Sequence, residues 1–389
     1  MSESQPSRRL PASRAAPAAI GAMFVSLLGV ALISAQTAPA PRPPMAEEAF
    51  KNVQVLKGLP VNQFMETMGF FSASLGADCT FCHVAESGGS WAKYADDNAK
   101  KRMARRMVLM AAAINRDNFN GRQVVTCYTC HRGGNRPKVT ASLAALYGAS
   151  PPDESDEVIA SPAPGAPSAA QILDKYINAL GGADRLTRIT SIVAKGTYEA
   201  YTDRVKHPVE IFAKAPGQRA TIVHAPDGDI TTIYDGRNAW IAAPLNERPV
   251  PVLALAGGDL DAARLEAELA FPARIKQTLS AWRAGLPATI DDRNVQVVQG
   301  TSTGRLPATF YFDAESGLLV RLVRYADSAV GRIPMQTDYA DYRDVSGVKL
   351  PFKWTSTWLD GRSTIELSDV RVSVPIAAGT FVKPAMPAR

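Results

Sequence analysis

The chain of 389 residues reads as multidomain, with an all-α N-terminal part and a C-terminal α+β part built on an antiparallel sheet or open barrel. Three observations predict this. Residues 45–150 place apolar side chains at helical spacing and hold all four cysteines. Residues 151–168 (PPDESDEVIASPAPGAPS) are rich in Pro, Ala, Ser and acids and read as an extended linker. From residue 169 to 389, short β-rich runs alternate with turn signals.

Residues 1–35 are set aside as a targeting segment. Arg8, Arg9 and Arg14 form a positive flank, and Ala18 to Ala35 is apolar apart from Ser26 and Ser34. Ser34-Ala35 offers small residues for cleavage before a Pro/Ala-rich stretch. A cleaved signal is the expectation. An uncleaved inner-membrane anchor is the alternative, since the apolar run is at the short limit for a span. Either one delivers the chain to the periplasm, which suits a sequence without spare thiols.

Helix one is expected from Asn62 to Leu75, after Pro60 and before Gly76, with Phe64, Met68, Phe71 and Leu75 on its apolar face. Helix two is expected from Asp96 to Asn115, with Met103, Met107, Met110 and Ile114 as its stripe. A methionine stripe at this spacing is mostly packing. Beyond the linker, Ala170–Leu180 reads as a helix ending at Gly181-Gly182. Eleven candidate strands follow, from Ile192–Tyr201 to Arg362–Val372, with a helical stretch near Leu260–Ala284. Asp227-Gly228, Asp235-Gly236, Ser316-Gly317 and Asp360-Gly361 mark hairpin turns. Asp341 to Asp344 reads as a turn-stabilising ion pair.

Each expected helix of the first part precedes a Cys-x-x-Cys-His motif. These are Cys79-Thr80-Phe81-Cys82-His83 and Cys127-Tyr128-Thr129-Cys130-His131. The pattern is that of covalent c-type haem attachment, with each cysteine pair forming thioethers and the adjacent His83 or His131 under the iron. Zinc is the main rival, but 44 residues separate Cys82 from Cys127, awkward for one tetrahedral centre. Disulfides within the pairs would leave both histidines without a role. Only His207 and His224 remain as further histidines, both in the β region and read as surface or strand residues. Methionine is then the simplest sixth ligand for both irons. The segment from Met45 to Ser150 carries 13 Lys/Arg against 8 Asp/Glu, most of the overall +6. Nucleic acid would be the reflex partner, but haem propionates and an acidic redox partner account better for Arg102, Arg105, Arg106, Arg132 and Arg136.

Met68-Gly-Phe-Phe-Ser-Ala-Ser-Leu-Gly-Ala-Asp-Cys79-Thr-Phe-Cys82-His83 resembles one haem unit of the photosynthetic reaction-centre cytochrome c subunit family. Ala104-Arg-Arg-Met107-Val-Leu-Met110-Ala-Ala-Ala-Ile-Asn115, with Val125-Thr-Cys-Tyr-Thr-Cys-His-Arg-Gly133, resembles another. The resemblance covers about 90 residues, from near Val53 to Pro137. It implies that Met68 is the axial ligand of haem one and Met107 that of haem two, with Met65 and Met110 as rivals. It also marks departures. The family carries four haems against two motifs here, its bis-His haem has no counterpart, and its lipid-bearing cysteine is missing. The C-terminal part is an addition. There, Phe310-Tyr-Phe-Asp-Ala-Glu-Ser-Gly-Leu-Leu-Val-Arg321 and Asp338-Tyr-Ala-Asp-Tyr-Arg-Asp-Val-Ser-Gly-Val-Lys-Leu-Pro351 resemble periplasmic lipoprotein carriers of the LolA/LolB type. That resemblance implies a curved, half-open sheet, serving either as a plain scaffold or around a pocket for a lipid or quinone-like ligand.

The function expected is single-electron transfer by a periplasmic dihaem cytochrome c, an electron carrier and not an enzyme. A dihaem peroxidase with one open iron is the enzymatic alternative, although no distal polar group is identifiable. A ligand-binding redox sensor is the third reading.

Overall fold

The structure is a computed structural model that describes residues 42–83, 90–141, 143, 159–162, 164–201, 204–244 and 250–386. The expected targeting segment, and residues 151–158 of the expected linker, lie outside the described residues. Residues 40–389 form one compact unit.

Helices occupy the N-terminal part and a large antiparallel sheet the C-terminal part. The helical elements are α1 (Ala46–Ala49), α2 (Val61–Leu75), α3 (Cys79–Cys82), α4 (Ala99–Asn118) and α5 (Cys127–His131). Helix α2 ends at Gly76, whose φ of 59° is the left-handed cap expected there. Helix α4 starts three residues later than the acids suggested. Asn98 caps it, its carboxamide oxygen accepting from the Lys101 N–H at 3.0 Å.

Past the linker come α6 (Ala169–Ala179), with Ser168 and Gln171 in a capping box, and α7 (Ala183–Leu186). The sheet then begins with β1 (Ser191–Ala200), β2 (Lys206–Lys214), β3 (Gln218–Ala225), β4 (Gly228–Tyr234), β5 (Ala239–Ala242) and β6 (Val252–Ala254). Helices α8 (Gly257–Leu269) and α9 (Ile275–Thr278) follow. The chain continues with β7 (Ala281–Ala284), β8 (Ala288–Ile290), β9 (Arg293–Thr301), β10 (Ala308–Asp313) and β11 (Leu319–Asp327). The last three are β12 (Arg332–Val345), β13 (Val348–Trp358) and β14 (Gly361–Val372).

Sheet order is β6-β5-β4-β3-β2-β1-β14-β13-β12-β11-β10-β9-β7, with β8 beside β9. Two antiparallel meanders thus meet where β1 pairs β14. Helices α6, α8 and α9 cover one face, where Leu173, Leu180, Leu265, Ile275, Phe310 and Phe312 form the main core. All eleven expected strands are present. The three short strands β6, β7 and β8 carry too few residues to show an alternation. The single helical stretch expected near Leu260–Ala284 is corrected to two helices and a strand. Pro272 interrupts it, and Ala281–Ala284 pairs with β9 instead. The Asp341 ion pair is present, with Arg343 to Asp341 at 2.6 Å, while Asp344 accepts from the Gly347 N–H at the hairpin turn.

The helical part sits directly on the sheet. Phe70 of α2 packs against Ala326, Val330 and Ile333. Gly331 admits that ring, since a Cβ there would lie 2.2 Å from Phe70 Cζ. The side of α2 buried in this way carries Asn62, Thr67, Gly69, Phe70 and Ser74. The expected stripe of Phe64, Met68, Phe71 and Leu75 is only half-buried, and of its members Phe71 reaches the same cluster while the other three lie farther round the helix. The contact of α2 with the sheet is made through one aromatic ring, small residues and hydrogen bonds. Asn62 Nδ2 donates to the Ala256 carbonyl at 3.0 Å and to Asp259 of α8 at 3.1 Å.

One turn on, Glu66 hydrogen-bonds Asp259. Burial first, and the Asp259 charge second, hold the Glu66 carboxyl well above its ordinary value of 4.5. The folded chain keeps this proton over a range where the unfolded chain has lost it. The unfolded state then binds fewer protons, so stability falls as pH rises above 4.5. Glu66→Gln mimics the protonated form and is expected to remove a slope of up to about 1.4 kcal/mol per pH unit. Urea unfolding of both proteins between about pH 5 and pH 8 checks this. Parallel pH profiles would contradict it.

Candidate haem-attachment site

Each Cys-x-x-Cys-His motif is one helical turn, which places its two cysteines on a common face. At the first, Asp78 caps the turn by accepting from the Phe81 N–H at 3.1 Å. At the second, Thr126 and Thr129 form a reciprocal capping box. Local sequence alone builds both turns.

The histidines are set by backbone. His83 Nδ1 lies 3.1 Å from the Tyr94 carbonyl, and His131 Nδ1 lies 2.9 Å from the Gly134 carbonyl. A carbonyl only accepts, so Nδ1 carries the hydrogen in both rings. Nε2 then holds its lone pair ready for a metal. Burial chiefly, helped by the Lys101 charge, pushes the His83 pKa below its usual value and favours the neutral ligand form. The His83 ring stacks on Tyr94 with centroids 4.5 Å apart, and Trp91 meets Tyr94 edge-on. Asn98, the α4 cap, donates to the Cys82 carbonyl at 2.6 Å and ties the first motif to α4.

Asn115 does the same for the second motif. Its oxygen accepts from the Val124 and Val125 N–H groups at 3.0 and 2.8 Å, and its amide donates to the Val125 carbonyl at 2.7 Å. Neither asparagine was singled out in the sequence, where each reads as a helix-end residue. The second motif also abuts the end of α2. The Gly133 N–H donates to the Ser74 carbonyl at 3.0 Å, and a Cβ on Gly76 would lie 2.2 Å from the Gly133 oxygen.

None of the four cysteines is joined to another as a disulfide. Burial raises the pKa of Cys82 and Cys127, which disfavours the thiolate. Among the described residues, no group of three or more His, Cys, Asp and Glu is placed to hold a metal ion, so the pairs do not converge as a zinc centre. Cys127 instead packs in an apolar cluster with Phe70, Phe71 and Val108.

Met68 and its rival Met65 are half-buried on α2, and Met107 is half-buried on α4. Met103 and Met110 are each 47% exposed. The α4 stripe is therefore not consumed by packing within the protein, contrary to the expectation for most of these methionines. Leu109, Val124 and Tyr128 are exposed as well, giving α4 and the second motif uncovered apolar surface. Paired thiols on one face, imidazoles with Nε2 available and nearby apolar surface together fit a c-type haem at each motif. Of the arginines, Arg105 bonds Asp97 at 2.7 Å and Arg102 approaches it at 3.9 Å, while Arg106, Arg132 and Arg136 are exposed. His224 lies beside Asp229 at 2.8 Å on the sheet.

Residues 28–150 match the family model of the photosynthetic reaction centre cytochrome C subunit. The chain is 42% identical over 99 residues to the photosynthetic reaction center cytochrome c subunit of Thermochromatium tepidum, covering 24% of this chain and 23% of that one. It is 35% identical over 101 residues to the same-named subunit of Roseobacter denitrificans, covering 24% and 26%. The chain thus spans about a quarter of the length of these curated relatives. Among solved structures, it is similar to a DUF1329 family protein from Desulfovibrio piger, with a TM-score of 0.40 and 10% identity over 56% of this chain and 99% of that one. A LolA superfamily protein from Nitrosomonas europaea gives 0.37 and 15% over the same shares.

Proposed function

We propose that this chain is a periplasmic c-type cytochrome with two covalently attached haems that passes single electrons between redox partners. The observation that carries this reading is the pair of imidazoles, each pinned through Nδ1 to a carbonyl beside a capped Cys-x-x-Cys turn. When bound, each haem supplies a one-electron iron couple. Cys79 and Cys82, and Cys127 and Cys130, would anchor the two groups, and His83 and His131 would ligate their irons. Met68 and Met107, the methionines that the resemblance picks out, would supply a thioether to each iron, and both lie half-buried on the helices that precede their motifs. The apolar faces of α2 and α4 keep water away. Exposed Arg106, Arg132 and Arg136 form the basic side that an acidic partner would meet. The reaction-centre subunits it resembles make a membrane-side electron carrier the natural setting, whether or not the N-terminal segment is retained.

A spectroelectrochemical titration of protein matured in a cytochrome c-assembling host tests this. Two midpoint potentials are expected. Met68→Ala and Met107→Ala should each lower one of them, by on the order of 0.1 V, because thioether ligation raises the potential. Met110→Ala should leave both unchanged. Potentials unmoved in the first two variants would overturn the axial assignments, and a high-spin spectrum in the wild type would point to a peroxidase-like open iron.

A second role, binding of an apolar ligand by the C-terminal part, is favoured by one observation. A cavity of about 120 Å³ lies beneath α8, walled by Leu265, Leu322, Tyr176, Tyr339 and Trp354.

A further inference from the structure

The cavity beneath α8 is walled mainly by apolar side chains, with Arg219, Arg324, Lys349, Glu266, Thr337 and Ser356 as its polar members. Arg219 comes from β3 and Arg324 from β11, strands separated in the sheet by β2, β1, β14, β13 and β12. The sheet must curl for both to line one cavity, and α8 closes it by packing on β3 and β11 alike. Both guanidinium groups share this lining with the half-buried Tyr339, whose pKa is pushed up by burial first and the Glu266 charge second, with the two arginines opposing.

Arg219 Nε and Arg324 Nη1 are buried there without a hydrogen-bond partner. A buried donor on a charged group is costly to leave unpaired, and an acceptor entering the cavity relieves that cost. Acidic groups stand nearby: Glu66, which shares a hydrogen bond with Asp259, faces Arg324, and Glu266 is at the cavity lining. What the two unpaired donors lack is an acceptor atom, and a neutral carbonyl supplies one without burying a further charge. The size is that of a single ring, since a cavity of about 150 Å³ accepts benzene. Tyr176, Tyr339 and Trp354 supply faces for ring contact.

We infer that this cavity binds a compact, neutral, ring-shaped molecule carrying a carbonyl oxygen, the chemical class of a quinone, with the oxygen accepting from Arg219 and Arg324. This rests on reading the cavity as a ligand site. Arg324 also faces Glu66 of α2, so the occupant would touch a residue shared with the helix that leads to the first motif.

Equilibrium dialysis of the full, haem-loaded, oxidised protein tests it with three probes. These are 1,4-benzoquinone, the matched hydrocarbon benzene, and benzoate. The expected result is one benzoquinone per chain, bound at least about tenfold more tightly than the hydrocarbon. Arg219→Met should weaken the quinone about tenfold or more and leave the hydrocarbon unchanged. Leu265→Trp, which fills the cavity, should abolish both. Equal affinity of wild type for quinone and hydrocarbon would overturn the carbonyl assignment while leaving an apolar ligand site in place. Tighter binding of the benzoate would overturn it in favour of an anion. If neither neutral ring binds, this inference and the reading of the cavity as a ligand site fall together. The wild-type comparison needs no variant to fold.

Discussion

Replacing Cys127 and Cys130 together by alanine is expected to yield a mature chain lighter by one haem, with the first haem still attached. Thioether attachment needs the sulfur atoms, and the two motifs are built separately. The first is capped by Asp78 and tied to α4 through Asn98, the second capped by Thr126 and tied to α4 through Asn115. The matching change at Cys79 and Cys82 should remove the other haem. Intact-mass measurement after maturation in a competent host reads both outcomes. A double variant that keeps two covalent haems, or a wild type that carries none, would sink the proposed function. Losing the second haem should also expose the Met103, Met107 and Met110 face of α4 fully. A rise in binding of a hydrophobic dye would report that exposure.

Phe70→Ala should destabilise the haem-loaded protein by about 3–5 kcal/mol. The ring is 6% exposed and fills a cluster with Ala326, Val330 and Ile333, against a glycine that leaves no slack for a replacement to settle into. The loss falls where α2 rests on the sheet, so the variant should unfold at lower urea concentration. Asn62→Ala offers a gentler probe of the same contact. It removes the bonds to Ala256 and Asp259 and should cost about 1 kcal/mol or somewhat more. An unchanged midpoint for Phe70→Ala would mean that α2 does not rest on the sheet in the way described.

The cysteine motifs, the two preceding helices and eleven strands were legible because each depends on neighbours in sequence. Cys-x-x-Cys-His is contiguous, caps such as Asp78 and Thr126 act within three residues, and alternation in a long strand repeats often enough to be read. The residues that were missed act at a distance. Asn98 and Asn115 look like ordinary helix-end residues until the chain returns to place Cys82 and Val125 beside them. On α2 the expected apolar stripe is present at helical spacing and half-buried, but which side meets the sheet was not legible, because Phe70, Asn62 and the small residues beside them are chosen by partners far along the chain.

Sequence by itself therefore determined the chemistry available here. Two attachment turns, two histidines and a stock of methionines are written in consecutive residues, and no fold is needed to recognise them. At His131 the Gly134 carbonyl, three residues on, sets the ring locally, whereas the outward nitrogen of His83 was decided by the fold, which brings the Tyr94 carbonyl back to it. Tertiary structure alone joined the helical part to the sheet through Phe70 and Asn62, and it alone gathered Arg219 and Arg324 from strands far apart in the sheet. The physical reason is the same in each case. Local patterns set propensity and covalent chemistry, whereas hydrogen-bond partners, burial and buried charge depend on residues that only the completed fold makes neighbours.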